Sequence, residues 1–161
     1  MALARYILDN PQTVAGRRVV DLGAGSGIVG IAAAKAGASA VIAAEIDRYA
    51  LIALKLNAEA NKVAIRVVGD DLIGGLPPPV DLVAVGDLFY ERDLAVRVTA
   101  FLDRCLLAGI GVLVGDPGRT WLPRARLRKI AEYLAPDFGD GNSAMKRSAV
   151  FSFEPAGRSD Q

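Results

Sequence analysis

No histidine occurs anywhere in the chain. That absence excludes serine-histidine-aspartate and cysteine-histidine catalysis and every metal site built on imidazole. Cys105 is the only cysteine, so neither an internal disulfide nor a Cys-x-x-Cys redox or zinc site can form, and a small core residue is expected there. Excess charge is missing too. With 19 basic against 18 acidic residues the formal net charge is +1, which leaves no electrostatic footprint for a nucleic-acid backbone, and no nucleic-acid partner is expected. Nor is there an uninterrupted apolar run of membrane-spanning length. Residues 28–44 come nearest, but Lys35, Gly37 and Ser39 break them, so a helix followed by a strand is expected. The opening MALARYILDN places Arg5 and Asp9 inside its apolar stretch, unlike a secretory signal. A cytoplasmic protein without membrane contact is expected.

What is present is a chain of 161 residues, 52% hydrophobic, long enough for one domain with a sizeable core; a single domain over 1–161 is expected, with a frayed polar tail at 155–161. Short β-branched runs at 18–20, 39–44, 64–68, 80–85, 110–114 and 148–153 are bounded by turn residues. Between them, 28–36, 49–60, 91–107 and 123–134 have helical length and composition. Strands alternating with helices predict βαβ units and a doubly wound, mostly parallel α/β sheet whose central strands read as unbroken apolar runs. Gly74-Gly75 and Pro77-Pro78-Pro79 leave little room for a long third helix, and 137–142 (DFGDGN) predict a turn before the last strand.

Acids follow the strands in succession: Asp21, Glu45, Asp70 with Asp71, Asp87 and Asp116. Parallel strands share one direction, so these carboxylates converge on the sheet rim where open α/β sheets bind ligands. Taken singly, each is an ordinary helix N-cap or turn former; the run of them points to function. Gly25-Ser26-Gly27-Ile28-Val29-Gly30 matches the dinucleotide fingerprint G-x-G-x-x-G, and Glu45 lies where a ribose-binding acid is expected. However, the glycine series begins at Gly23, and Asp21 would repel a pyrophosphate seated at the helix start. A cationic ligand would welcome it.

The stretch Val19-Val20-Asp21-Leu22-Gly23-Ala24-Gly25-Ser26-Gly27 resembles the first motif of the class I, seven-strand methyltransferases that use S-adenosyl-L-methionine and release S-adenosyl-L-homocysteine. The resemblance implies a Rossmann-like sheet flanked by helices with its last strand antiparallel. It also implies that Gly23, Ala24, Gly25 and Gly27 admit the methionine part, that Asp21 helps hold its amino group, and that Glu45 binds the ribose hydroxyls. Ile46 would lie against the adenine, Asp71 or Asp70 near its amino group, and Gly86 beside the cofactor. No metal is expected.

The segment after the fourth strand, Val85-Gly86-Asp87-Leu88-Phe89-Tyr90-Glu91, lacks the Asn/Asp-Pro-Pro-Tyr sequence of enzymes that methylate planar nitrogens. Asp87-x-x-Tyr90 instead resembles the D-x-x-[YF] signature of lysine-directed protein methyltransferases. A lysine amine, with an ordinary pKa of about 10.4, must lose a proton before its lone pair can attack a methyl group. Asp87 can attract and orient the incoming ammonium, Phe89 and Tyr90 can wall a cationic nitrogen, and a nearby sulfonium lowers the amine's pKa. The plainer readings are an N-cap for Asp87 and packing for the two rings.

Gly115-Asp116-Pro117-Gly118-Arg119 and Trp121-Leu122-Pro123, with Gly86-Asp87-x-Phe89-Tyr90, are similar to the branch that methylates the electron transfer flavoprotein beta subunit, implying that protein as partner. On the plainer view Asp116-Pro117-Gly118 is a turn and Arg119 a solvated charge. Members of the branch carry a further N-terminal segment, with a Trp-Pro-Gly stretch, ahead of the helix that begins here at Leu3. Against that pattern, either a truncated start or closure of the site by another element is expected. A small-molecule, nicotinamide-like N-methyltransferase and a non-catalytic cofactor-binding module remain the alternatives.

Overall fold

Residues of alternate parity along the short strands decide which layer each side chain joins, because successive strand residues point to opposite faces of a sheet. The computed structural model describes residues 1–136 and 145–157. The strands β1 (Arg18–Leu22), β2 (Ala40–Ala44), β3 (Arg66–Val68), β4 (Leu82–Gly86), β5 (Gly111–Asp116), β6 (Leu127–Pro136) and β7 (Met145–Phe153) form one sheet in the order β3-β2-β1-β4-β5-β7-β6. β1 to β5 pair in parallel, and β7 runs antiparallel to both β5 and β6. The helices are α1 (Ala2–Asp9), α2 (Ile28–Lys35), α3 (Arg48–Ala60) and α4 (Arg92–Leu107).

One core layer joins Val20, Val83, Val85 and Val114 to Val98, Phe101 and Leu102 of α4. The opposite layer joins Val19, Leu82, Ala84 and Leu113 to Leu3 and Ile7 of α1 and Val29 of α2. β4 is buried along its whole length, as a central parallel strand covered on both faces must be. Each fully buried valine or leucine contributes roughly 1.5–3 kcal/mol by leaving water. Glycine at 115 lets α1 settle: a Cβ there would stand 2.6 Å from the Leu3 Cβ and close to its backbone. Asp47 caps α3, accepting from the Tyr49 and Ala50 N–H groups at 2.9 and 2.8 Å.

The helix expected over 123–134 does not form. A single 3-10 turn, Arg124–Arg126, leads straight into β6. Leu127, Ile130 and Leu134 have helical spacing, but the backbone pairs with β7 from Leu127 opposite Phe153 to Pro136 opposite Met145, slipping register between Lys129 and Ala131. That slip lets Ile130, Ala131 and Tyr133 pack on the α1 layer while Leu134 stays exposed. Tertiary pairing outweighs local spacing here. The other expected helices and strands form, with ends shifted by up to three residues. Between β3 and β4 only the 3-10 turn Leu72–Gly74 forms, as the glycines and prolines there imply. The turn expected at 137–142 lies outside the described residues; Pro155, Glu154 and Gly157 are described without regular structure, and 158–161 lie outside. Among the described residues no helix is long and apolar enough to cross a membrane.

Candidate active site

β1 lies between β2 and β4, so the chain leaves it toward one side and returns on the other, which opens a crevice at the carboxyl ends of these strands. A cleft of about 290 Å³ occupies it, lined by Gly23, Glu45, Ile46, Asp70, Asp71, Gly86, Asp87 and Tyr90 together with Leu22, Ala44, Leu72, Ile73, Leu88 and Leu94. The sequence signal found the polar members; the apolar wall of Leu72, Ile73, Leu88 and Leu94 carried none beyond its position near the strand ends.

The glycine loop joins β1 to α2. Gly23, Gly25 and Gly27 all have left-handed φ angles, of +66°, +54° and +86°. A Cβ on Gly23 would stand 2.4 Å from a Leu88 methyl, so this glycine makes room for the cleft wall. Gly25 and Gly27 lie beside the cleft rather than on it, and Ala24 packs with Ala43 and Leu54. Gly86 lines the cleft, and a Cβ there would stand 3.0 Å from the Met1 sulfur.

Asp21 is only 1% exposed and does not line the cleft. It shares the strand face of Val19, so its carboxylate points under the loop, where Oδ2 accepts the Gly30 N–H at 2.7 Å. Burial pushes this carboxyl up to about 7; the Gly30 N–H opposes the shift and the Glu45 charge adds to it. In this geometry Asp21 ties the end of β1 to α2 across the base of the glycine loop and does not line the cleft. A Cβ at position 30 would lie 3.2 Å from that oxygen, so glycine there admits the bond.

Glu45, directly after β2, braces the loop from the other side. Its Oε2 accepts the Gly25 N–H at 2.8 Å, and Oε1 accepts those of Ile46 and Asp47 at 2.8 Å each. A carboxylate has about four acceptor positions, so capacity remains for a ligand hydroxyl. Ile46 is 71% exposed at the lip and offers an apolar platform. Asp71 accepts the Ile73 N–H at 3.1 Å and pairs with Arg97 of α4, while Asp70 is exposed on the same lip.

At the far end, Asp87 adopts φ +55°, uncommon for a residue other than glycine, and its N–H donates to the Gly115 carbonyl at 2.9 Å. It is no helix cap, since Glu91 holds that position in α4 and makes no side-chain cap bond. Arg119 grips the Asp87 carboxylate at two points, Nε to Oδ1 at 2.6 Å and Nη2 to Oδ2 at 2.8 Å. The solvated charge of the plainer reading is therefore a built contact. Tyr90 is 57% exposed and lines the cleft, as an acceptor wall requires. Phe89 does not: it is 0% exposed within the α4 core layer, so its ring serves packing. Cys105 is a buried core residue whose thiol burial raises to about 11.

Asp116, also 1% exposed, ends β5 and shapes the turn that carries Arg119. Its Oδ1 accepts the Gly118 and Arg119 N–H groups at 2.6 and 2.7 Å, and its buried Oδ2 has no hydrogen-bond partner among the described residues. Burial raises this carboxyl, the Arg119 and Gly118 N–H groups oppose that, and the Asp87 charge adds to it.

Among the described residues the cleft is thus lined by the carboxylates of Glu45, Asp70, Asp71 and Asp87 and by no lysine or arginine, although Arg97 and Arg119 pair with Asp71 and Asp87. Such a surface suits a cationic ligand bearing hydroxyls and an apolar ring, and it opposes a pyrophosphate. Strand order, glycine loop and acid-lined switch-point cleft together define a class I methyltransferase fold. Residues 3–84 match the ribosomal protein L11 methyltransferase (PrmA) family, and the chain belongs to that family.

Its curated relatives include the electron transfer flavoprotein beta subunit lysine methyltransferase of Danio rerio, 42% identical over 159 residues, an alignment that covers 94% of this chain and 62% of that protein. The branch likeness read from Gly86–Tyr90 and Gly115–Arg119 is borne out by that kinship. The chain spans 62% to 65% of the length of the vertebrate lysine methyltransferases it matches. Among solved structures, the ribosomal protein L11 methylase of Lactobacillus delbrueckii subsp. bulgaricus superposes with a TM-score of 0.66 at 22% identity, covering 95% of this chain and 77% of that one. Magnesium protoporphyrin IX methyltransferase of Synechocystis PCC 6803, with bound S-adenosylmethionine, gives a TM-score of 0.67 at 14% identity over 95% of this chain and 77% of that one.

Proposed function

We propose that this chain transfers a methyl group from S-adenosyl-L-methionine to a lysine of the electron transfer flavoprotein beta subunit, without a metal. The observation that carries the reading is the single cleft in which carboxylates suited to a cationic, hydroxyl-bearing donor run continuously into the Asp87–Tyr90 acceptor end. The kinship with lysine methyltransferases supports the choice of acceptor. When bound, the donor supplies an electrophilic methyl on a cationic sulfur. Glu45 offers its remaining acceptor position to the ribose hydroxyls, Ile46 covers one adenine face, and Asp70 or Asp71 meets the adenine amino group. Asp87 and Tyr90 flank the incoming amine and aim its lone pair; rate comes from positioning and electrostatics, since no histidine base exists.

The test is to incubate the chain with isotopically labelled donor and purified electron transfer flavoprotein, then map the label by mass spectrometry. Label on lysines of the beta subunit is the expected result. Labelled nicotinamide or another small amine with unlabelled protein would replace this reading with the small-molecule one. Calorimetry showing no binding of S-adenosylhomocysteine at millimolar concentration would overturn the methyltransferase reading.

A further inference from the structure

Arg119 reaches Asp87 from a different strand end, and several features converge to put it there. Asp116 holds the turn through two N–H bonds, Gly118 takes φ +98° to turn the chain, and the guanidinium meets both Asp87 oxygens. Asp87 is itself fixed in a left-handed conformation by its bond to Gly115. A two-point fork of this kind neutralises a carboxylate and fixes its orientation.

The electrostatic consequence bears on the lysine reading, on which this inference rests. A bare carboxylate beside the acceptor would favour the ammonium, which has no lone pair and cannot be methylated. With the guanidinium in place the same carboxylate keeps lone pairs free to accept an amine N–H while its net charge is cancelled. Around Asp87 stand Arg119 from the β5 loop, Asp116 at the end of β5 and Tyr90 from its own loop. Across the cleft are Glu45, Asp70 and Asp71, the last paired with Arg97 of α4. Among the described residues Arg119 is the cation in direct contact with the Asp87 carboxylate.

We propose that Arg119 is a positioning residue of the acceptor site, clamping Asp87 so that the substrate lysine is received as the neutral amine. The ammonium gives its proton to water on entry. The amine lone pair then forms the new C–N bond as the S–CH3 bond breaks and its electron pair stays on sulfur, and the methylated ammonium sheds any further proton to water. Arg119 acts through Asp87 and touches no reacting atom.

The experiment measures kcat and KM from pH 6 to pH 10 for the wild-type chain, Arg119→Gln and Arg119→Lys, with electron transfer flavoprotein as acceptor. Exposing the Asp87 charge should move the rising limb of kcat up by about one pH unit or more, so kcat near neutrality falls about tenfold while KM does not rise. Activity should recover at high pH, and the lysine variant, which keeps the charge without the fork, should lie between. S-adenosylhomocysteine affinity of each variant, read by calorimetry, serves as the check on folding. An unmoved pH limb with a uniform loss of kcat, in variants that still bind S-adenosylhomocysteine, overturns the proposal alone. No transfer to lysine by the wild-type chain overturns the lysine reading, and the proposal with it.

Discussion

Asp21 illustrates how a buried charge can serve geometry at a cost in stability. Its folded carboxyl is raised to about 7 from an ordinary value near 4, chiefly by burial. The folded state therefore holds its proton more tightly than the unfolded one, and stability falls as pH rises from about 4 to about 7, then levels. Asp21→Asn keeps an oxygen for the Gly30 N–H and has no charge to bury. Urea denaturation should find the wild type losing up to a few kcal/mol between pH 4.5 and pH 8 that the asparagine variant retains. Equal pH slopes in the two proteins would show that Asp21 is not the group responsible. Asp87 calls for a different substitution strategy. Its left-handed backbone disfavours alanine by about 1–2 kcal/mol, whereas asparagine tolerates that conformation. Asp87→Asn should lower kcat/KM for lysine transfer by about 100-fold through lost orientation while S-adenosylhomocysteine affinity stays within a few-fold, as measured by calorimetry. Parallel loss of both would place Asp87 in the cofactor site instead.

At the scale of elements, the first helix matters more to the cleft than its distance along the chain suggests. α1 lies across the ends of β4 and β5, with Leu3 on Gly115 and Met1 against Gly86, which lines the cleft. Gly115→Ala drives a methyl into the Leu3 Cβ and should cost about 1–3 kcal/mol by overpacking. Because α1 must then lift, the same variant should also weaken S-adenosylhomocysteine binding; thermal denaturation and calorimetry on one sample read both effects. Elements also show what the sequence conveys and what it hides. The valine runs of β1, β4 and β5 are legible because burial on both faces leaves only apolar residues. β6 is not legible, since an edge strand with a register slip need not alternate and its leucine spacing imitates a helix. Glu45 could be read from its interval after the glycines, whereas the inward aim of Phe89 and the reach of Arg119 to Asp87 depend on how the β4 and β5 loops meet. A lone arginine after Asp-Pro-Gly carries no local sign of its partner.

For the whole molecule, net charge and local charge point in different directions. The chain as a whole is nearly neutral at +1, yet among the described residues its cleft is lined by Glu45, Asp70, Asp71 and Asp87 with no lining lysine or arginine; Arg97 and Arg119 offset Asp71 and Asp87, so the excess negative charge sits on Glu45 and Asp70. Long-range steering should accordingly be weak, and ligand choice should be made inside the cleft. S-adenosylmethionine carries a sulfonium that S-adenosylhomocysteine lacks, while NAD presents a pyrophosphate to the same acids. Competition calorimetry should therefore rank NAD well below both, by at least about 100-fold, since each misplaced charge costs a few kcal/mol when partly desolvated. Raising salt from 0.05 to 0.5 M should weaken S-adenosylmethionine more than S-adenosylhomocysteine, because the two share an ammonium and a carboxylate and the sulfonium is the one further charge that salt screens. NAD binding as tight as either would mean that the glycine loop rather than the surrounding carboxylates selects the ligand, and would return the dinucleotide reading of Gly25–Gly30.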